Sequence, residues 1–126
     1  MATRRISIDC RDISSFGDFV EAMNKGFIRA VGGEWNGHLD AFNDYLSWPD
    51  EESYELVLLG AKHCENVLGH HAQAEWLRNN MSKCHPSNVE SVRARLAIAE
   101  KGQGETLYDV IRDIVRDNTH VRFVES

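Results

Sequence analysis

Apolar and polar residues alternate from Arg4 to Cys10, with Ile6, Ile8 and Cys10 on one side, and this period of two predicts a strand. The period then changes. Phe16, Phe19, Val20, Met23 and Phe27 recur at helical spacing behind Ser15 and Asp18, which read as a capping box, so a first helix is predicted. Gly32-Gly33 breaks the chain into a loop. Asn36 is placed to cap a second, short helix that runs to about Ser47 and is stopped by Pro49. On it, Leu39, Phe42 and Leu46 make one apolar stripe, while Asp40, Asn43, Asp44 and Ser47 make a polar stripe turned elsewhere. Tyr54 to Leu59 is almost continuously apolar, the pattern of a strand covered on both faces or buried in a parallel sheet.

Two more helices follow in the pattern. One covers roughly Cys64 to Met81, with Leu68, Ala72, Trp76 and Leu77 inward. The other begins after Pro86, with Ser87 and Glu90 as a capping box, turns Val89, Val92, Leu96 and Ala99 inward, and ends at Gly102 and Gly104. A final helix starts at Thr106, capped with Asp109, and presents Leu107, Ile111, Ile114 and Val115. Asn118 offers a left-handed stop, and His120 to Val124 returns as a last strand. Strands joined by helical crossovers imply an α/β fold with a parallel sheet and right-handed connections.

The chain's 126 residues suit a single domain spanning 1–126. Its balance of 42% hydrophobic and 27% charged residues is that of an ordinary soluble globular protein. No apolar run is long enough to span a membrane, and the arginines of Met1-Ala2-Thr3-Arg4-Arg5 are not followed by the apolar stretch of a secretion signal. A cytoplasmic location is therefore expected. Cys10, Cys64 and Cys84 form no CxxC, and free thiols in a reducing compartment are the simplest reading.

Charge changes the picture more. The net charge of -6 is mild, but there is no lysine or arginine between Arg29 and Lys62, a stretch holding Glu34, Asp40, Asp44, Asp50, Glu51, Glu52 and Glu55. From Gly60 to Glu105 the two signs nearly balance. An acidic stretch of this kind repels nucleic acid and steers a basic partner; it also serves simply as a solvated surface.

Trp35-Asn36-Gly37-His38-Leu39-Asp40-Ala41-Phe42-Asn43-Asp44-Tyr45-Leu46 resembles the signature of the barstar family of ribonuclease inhibitors, in which an aromatic-Gly-x-Asn-Leu-Asp-Ala-Leu-x-Asp-x-Leu run opens the second helix. The first strand and helix lie at the matching distance before it, Leu56 to Leu59 corresponds to the second strand, and Thr106 to Ser126 to the closing helix and strand. The region of about 60–105 is longer than in the smallest members and lies outside the resemblance. What the resemblance implies is a two-layer fold: a three-stranded parallel sheet with helices packed on it, and an extra helical segment between the second and third strands. It further implies an inhibitor, not an enzyme, acting in immunity or antitoxin-type protection. A monomer would block a basic ribonuclease in a 1:1 complex, without cofactor, metal, membrane or direct nucleic-acid contact. Asp44 falls where the family mimics an RNA phosphate, Asp40 one turn earlier on a second contact position, and Asp113 on the assisting acid of the closing helix, with Val110 on the turn before. Trp35, Asn36, Gly37, His38, Leu39 and Asn43 complete the implied contact surface. The motif also departs from the family: its glycine stands one place late, at Gly37 behind Asn36, His38 replaces a typical Asn, and Glu34 and Asn43 replace aromatic residues of the best-known member.

The chemistry suits such a role independently. A site that binds phosphate concentrates Arg, Lys and His, and two carboxylates one turn apart on a helix offer it charge-assisted hydrogen bonds at a low ordering cost. For Asp40 the alternative is an acid favoured by the helix dipole; that account fits Asp44 poorly, because Asp44 lies past the first turn. For Asp113 the alternatives are a solvated helix face or a pair with Arg112 or Arg116. Other readings are a barstar-like interaction module with a non-ribonuclease target, and a metal site among His63, Cys64, His70, His71, Glu75, Cys84 and His85, where His71 and Glu75 share a helix face. No HExxH, GxSxG or P-loop is present. Trp35, Trp48 and Trp76 are core or interface anchors, with Trp35 the expected partner contact.

Overall fold

The three segments read as strands form β1 (Arg4–Asp9), β2 (Tyr54–Leu59) and β3 (Val121–Glu125), paired in parallel in the order β1-β2-β3. The computed structural model describes residues 4–48, 53–81, 83 and 85–126. Among the described residues six α-helices accompany the sheet: α1 (Phe16–Met23), α2 (Leu39–Tyr45), α3 (Ala61–Val67), α4 (His70–Met81), α5 (Val89–Glu100) and α6 (Leu107–Asp117). None of them is long and apolar enough to cross a membrane.

Register sorts the strand residues by face. Ile6 lies opposite Leu56, Ile8 opposite Leu58 and Tyr54 opposite Val121, and these side chains are all buried beneath helices. The other face carries Arg5, Glu55 and Arg122 in one cross-strand row, where Glu55 takes Arg5 at 3.0 Å and Arg122 at 3.4 Å. The apolar run of β2 is that of the central strand of a parallel sheet: on this second face Val57 is buried as well, and only Leu59 at the strand's end opens to 36%.

Several local signals resolve differently from the pattern. Past Met23 the first helix widens into a five-residue turn, Asn24–Ile28, that lays Gly26 against Ile8 of β1, where a Cβ would collide with Ile8 Cδ1. The segment read as one helix from Cys64 to Met81 is two, because the chain breaks at Leu68-Gly69 and Leu68 O accepts the Tyr108 N–H at 2.8 Å. The break thus serves the start of α6. Ser87 does not cap α5; its hydroxyl pairs with His85 Nδ1 at 2.7 Å in a short turn before the helix. Thr106 and Asp109 do form the full capping box of α6. Asn118 is not left-handed (φ -91°); it closes α6 with its side chain, donating to Ile114 O at 2.8 Å. Pro49, proposed as the stop of the second helix, lies outside the described residues.

The free-thiol expectation fails for two of the three cysteines. Cys10, just after β1, and Cys64, in α3, are bonded as a disulfide with Cα atoms 5.6 Å apart, both fully buried. Parallel pairing of β1 with β2 places the segments that follow each strand side by side, which residue counting along the chain does not reveal. Cys84 lies outside the described residues.

The core is two-part. The main cluster joins the sheet to α1, α2, α3 and α6, whereas Ala74, Leu77 and Ala99 form a small separate cluster between α4 and α5. The extra helical segment is thus a hairpin with a minor core of its own.

Candidate functional site

The site grows from the loop before α2. Trp35 is its root: 2% exposed, it stacks on Phe42 at 4.8 Å between centroids and meets Phe16 and Phe19 edge-on. Its indole N–H donates to His38 O at 2.7 Å, and the same carbonyl accepts the Phe42 N–H at 3.1 Å. Asn24, 2% exposed, straps the loop down: its Oδ1 accepts the Trp35 N–H at 2.7 Å and its Nδ2 donates to Trp35 O at 3.0 Å. Nothing in the pattern of the chain marked Asn24, since an asparagine inside a helical stretch carries no signal of its own. Asn24→Ala leaves two buried backbone groups without partners, so it is expected to cost about 2 kcal/mol of stability, read as a lowered urea midpoint with an unchanged slope.

Asn36 does not cap α2. Its Oδ1 accepts the His38 N–H at 3.3 Å in a turn, and His38 occupies the cap position without a side-chain bond. Gly37 has φ 100°, a conformation that favours glycine, and Phe16 would crowd any side chain there. The far end of α2 is held by Leu46 O, which accepts the Tyr54 O–H at 2.5 Å and lies 2.9 Å from His120 Nε2. Tyr45 O–H donates to Glu34 O at 3.0 Å. A seven-residue helix too short to stand alone is therefore clamped at both ends.

This clamp fixes the polar stripe outward. Asp40 and Asp44 are exposed, and neither forms an ion pair among the described residues. Of the other acids of the stretch, Glu34 and Glu55 are already engaged. Glu34 is held by Arg29 at 2.8 Å, which also bridges to Glu21, and Glu55 lies in the sheet's charge row. Asp50, Glu51 and Glu52 lie outside the described residues. Asp113 is likewise exposed and unpaired among the described residues: Arg112 bonds Asp109 at 2.9 Å and Arg116 bonds Glu125 at 3.0 Å, which removes the ion-pair alternative and leaves a solvated helix face beside the contact reading. α2 packs beside α6, and Asn118 joins them by donating to Asn43 Oδ1 at 2.9 Å.

The remaining contact candidates divide. His38 and Asn36 are exposed, and Asn43 is exposed but tied to Asn118. Trp35 and Leu39 are core residues, so the expectation that Trp35 touches a partner is corrected: the loop is built upon it. Gly37 is buried and Val110 half-buried against the core. The exposed tryptophan is Trp48, 47% accessible at the end of α2 and packed edge-on against Tyr45 at 4.7 Å. Its place beyond the apolar stripe was the available signal.

The histidines do not converge. His63 Nε2 lies 2.7 Å from Ile13 O, His70 Nε2 3.0 Å from Gly104 O, and His71 meets only Glu75, at 3.1 Å. No group of three His, Cys, Asp or Glu side chains among the described residues is placed to hold a metal.

Three carboxyls are held below their ordinary range: Asp109 by the backbone N–H of Thr106, Glu34 by the Arg29 guanidinium, and Asp9, at about 2, by Arg11. A carboxyl whose folded pKa is depressed contributes stability above its unfolded pKa and loses it as pH falls through the folded value. The urea midpoint is therefore expected to stay flat above about pH 5 and decline from about pH 4 toward pH 2. Glu34 is exposed and screened, whereas Asp9 and Asp109 are half-buried, so Asp9→Asn and Asp109→Asn together are expected to remove most of that decline.

No protein-family model, curated protein or solved structure matches the chain.

Proposed function

We propose that the protein is a barstar-like inhibitor that blocks a basic ribonuclease with the exposed carboxylate stripe of α2. The observation that carries this is the separation of the acidic stretch into engaged and unengaged groups. Glu34 and Glu55 have internal partners, while Asp40, Asp44 and Asp113 stand exposed and unpaired among the described residues. Such carboxylates gain most from a partner that brings its own cations, and a ribonuclease site, built to bind phosphate, supplies them. Rigid support adds to this, because a helix clamped at both ends loses little freedom on binding. Trp48 supplies the aromatic surface that interfaces favour next to such charges. The order of elements, with three parallel strands and α2 between the first two, is the one the barstar resemblance implies.

The test is capture. Wild type and an Asp40→Asn, Asp44→Asn variant are immobilised side by side and exposed to lysate and culture medium of the source organism and its competitors. A basic ribonuclease retained and silenced by wild type alone establishes the reading. Equal capture on both surfaces, or a partner without ribonuclease activity, overturns it in favour of an interaction module with another target.

A further inference from the structure

The α4–α5 hairpin lies outside the resemblance, yet it reaches the loop that leads into α2. Trp76 of α4 donates its indole N–H to Gly37 O at 3.3 Å. Beside this contact runs an open groove of about 340 Å³, with Asn36 and His38 on one wall and Asn79, Asn80 and Lys83 on the other. It continues into a second hollow of about 210 Å³ that Asp40 lines from α2 and Arg95 from α5. His38, Trp76, Asn80 and Lys83 belong to both parts, so the groove is one channel that ends at the acidic stripe.

Its chemistry is specific. Side-chain amides donate and accept at once, as a peptide backbone does. The Asn79 side chain has no hydrogen-bond partner among the described residues. Asn80 spends its Nδ2 on Trp76 O at 2.7 Å and keeps its oxygen, while Asn36 spends its oxygen on the His38 N–H and keeps its amino group. Lys83 forms no ion pair among the described residues, whereas Arg95 is already bonded to Glu105 at 3.1 Å. A cation beside an acidic stripe works against a uniformly basic partner and favours one with a carboxylate at that spot.

We propose that this groove receives a projecting loop of the bound ribonuclease, whose backbone pairs with the asparagine amides and whose acidic side chain meets Lys83. The inference rests on the proposed inhibition and names the shape and charge of the partner surface beside its basic site. The hairpin then acts as a selector: ribonucleases with a basic site but no such acidic loop meet Lys83 unpaired and bind less well.

The test uses the full chain and the basic ribonuclease recovered on the wild-type protein. Lys83→Glu and Lys83→Gln are compared with Asp44→Ala by inhibition of RNA cleavage and by dissociation rate, with thermal unfolding confirming that each variant folds. Lys83→Glu is expected to speed dissociation about tenfold or more, and Lys83→Gln less, because a like charge replaces an opposite one at a desolvated contact. In the complex, the amides of Asn79, Asn80 and Lys83 gain protection from hydrogen exchange. If Asp44→Ala weakens inhibition while Lys83→Glu does not, the groove proposal fails and the inhibitor reading stands. If neither variant changes inhibition, or no ribonuclease is recovered, both fall.

Discussion

Asp44→Ala is expected to weaken the complex with the target ribonuclease by about 2–5 kcal/mol, roughly thirty- to several-thousand-fold in Kd. That range rests partly on the barnase–barstar pair, the reference system of the family resembled, so it is carried over to this chain. The physical argument is local. Asp44 has no ion pair among the described residues, so on the proposed reading it exchanges water for the enzyme's cations on binding. Truncation leaves those enzyme cations desolvated and unpaired, and the cost appears as faster dissociation. Asp40→Ala is expected to cost less, because Asp40 sits in the first turn of α2, where the helix dipole already favours it, and shares its hollow with Lys83 and Arg95. Glu34→Gln provides the control. Glu34 is spent on Arg29, so losing it should leave affinity within about twofold if only the unpaired carboxylates bind. Titration of RNA cleavage by the three variants reads all of this in one assay. Equal losses for Glu34 and Asp44 would mean that net charge, and not a placed carboxylate, attracts the partner.

The fold was legible where one signal ruled a segment. The alternation of β1, the apolar run of β2 and the Thr106–Asp109 cap of α6 each depend on neighbours in sequence, and each stands in the structure. Reading failed where a distant contact decided the local shape. Leu68-Gly69 breaks a continuous helical pattern because α6 needs the Leu68 carbonyl, and the wide turn at Asn24–Ile28 exists because Gly26 must pass Ile8. A serine just after a proline is ambiguous for a similar reason: Ser87 had His85 two residues back as a competing partner.

The candidate site divides along the same line. The polar stripe of α2 follows from helical period alone, so Asp40 and Asp44 could be placed together without coordinates. Which acids remain unpaired could not be, because Arg29, Arg5 and Arg122 reach Glu34 and Glu55 through tertiary geometry. The tryptophans show the limit most clearly. Trp35 and Trp48 both flank α2, and only the packing of Trp35 against Phe16, Phe19 and Phe42 sends one inward and leaves the other exposed.

Removing the disulfide is expected to cost about 4 kcal/mol, because Cys10 and Cys64 are 54 residues apart and their bond denies the unfolded chain the freedom of a loop of that length. For a domain whose total stability is of order 5–15 kcal/mol, that is a large share. The double variant Cys10→Ala, Cys64→Ala should therefore unfold at a clearly lower urea concentration than the oxidised protein, with a larger slope as its unfolded state expands. Thiol titration in denaturant supplies the independent check: one reactive thiol per chain, from Cys84, if the bond forms, and three if it does not. Three thiols together with unchanged stability would overturn the prediction. Both sulfurs are fully buried, so a reductant added to the native protein must wait for an opening of the fold, and reduction should follow unfolding kinetics. The free-thiol reading of the cysteines rests on a reducing compartment, itself expected from the absence of a secretion-signal pattern. With two of the three bonded, the two expectations no longer agree, and in a reducing compartment the junction of β1 with α3 must hold by packing of Cys10, Ala61 and Cys64 alone.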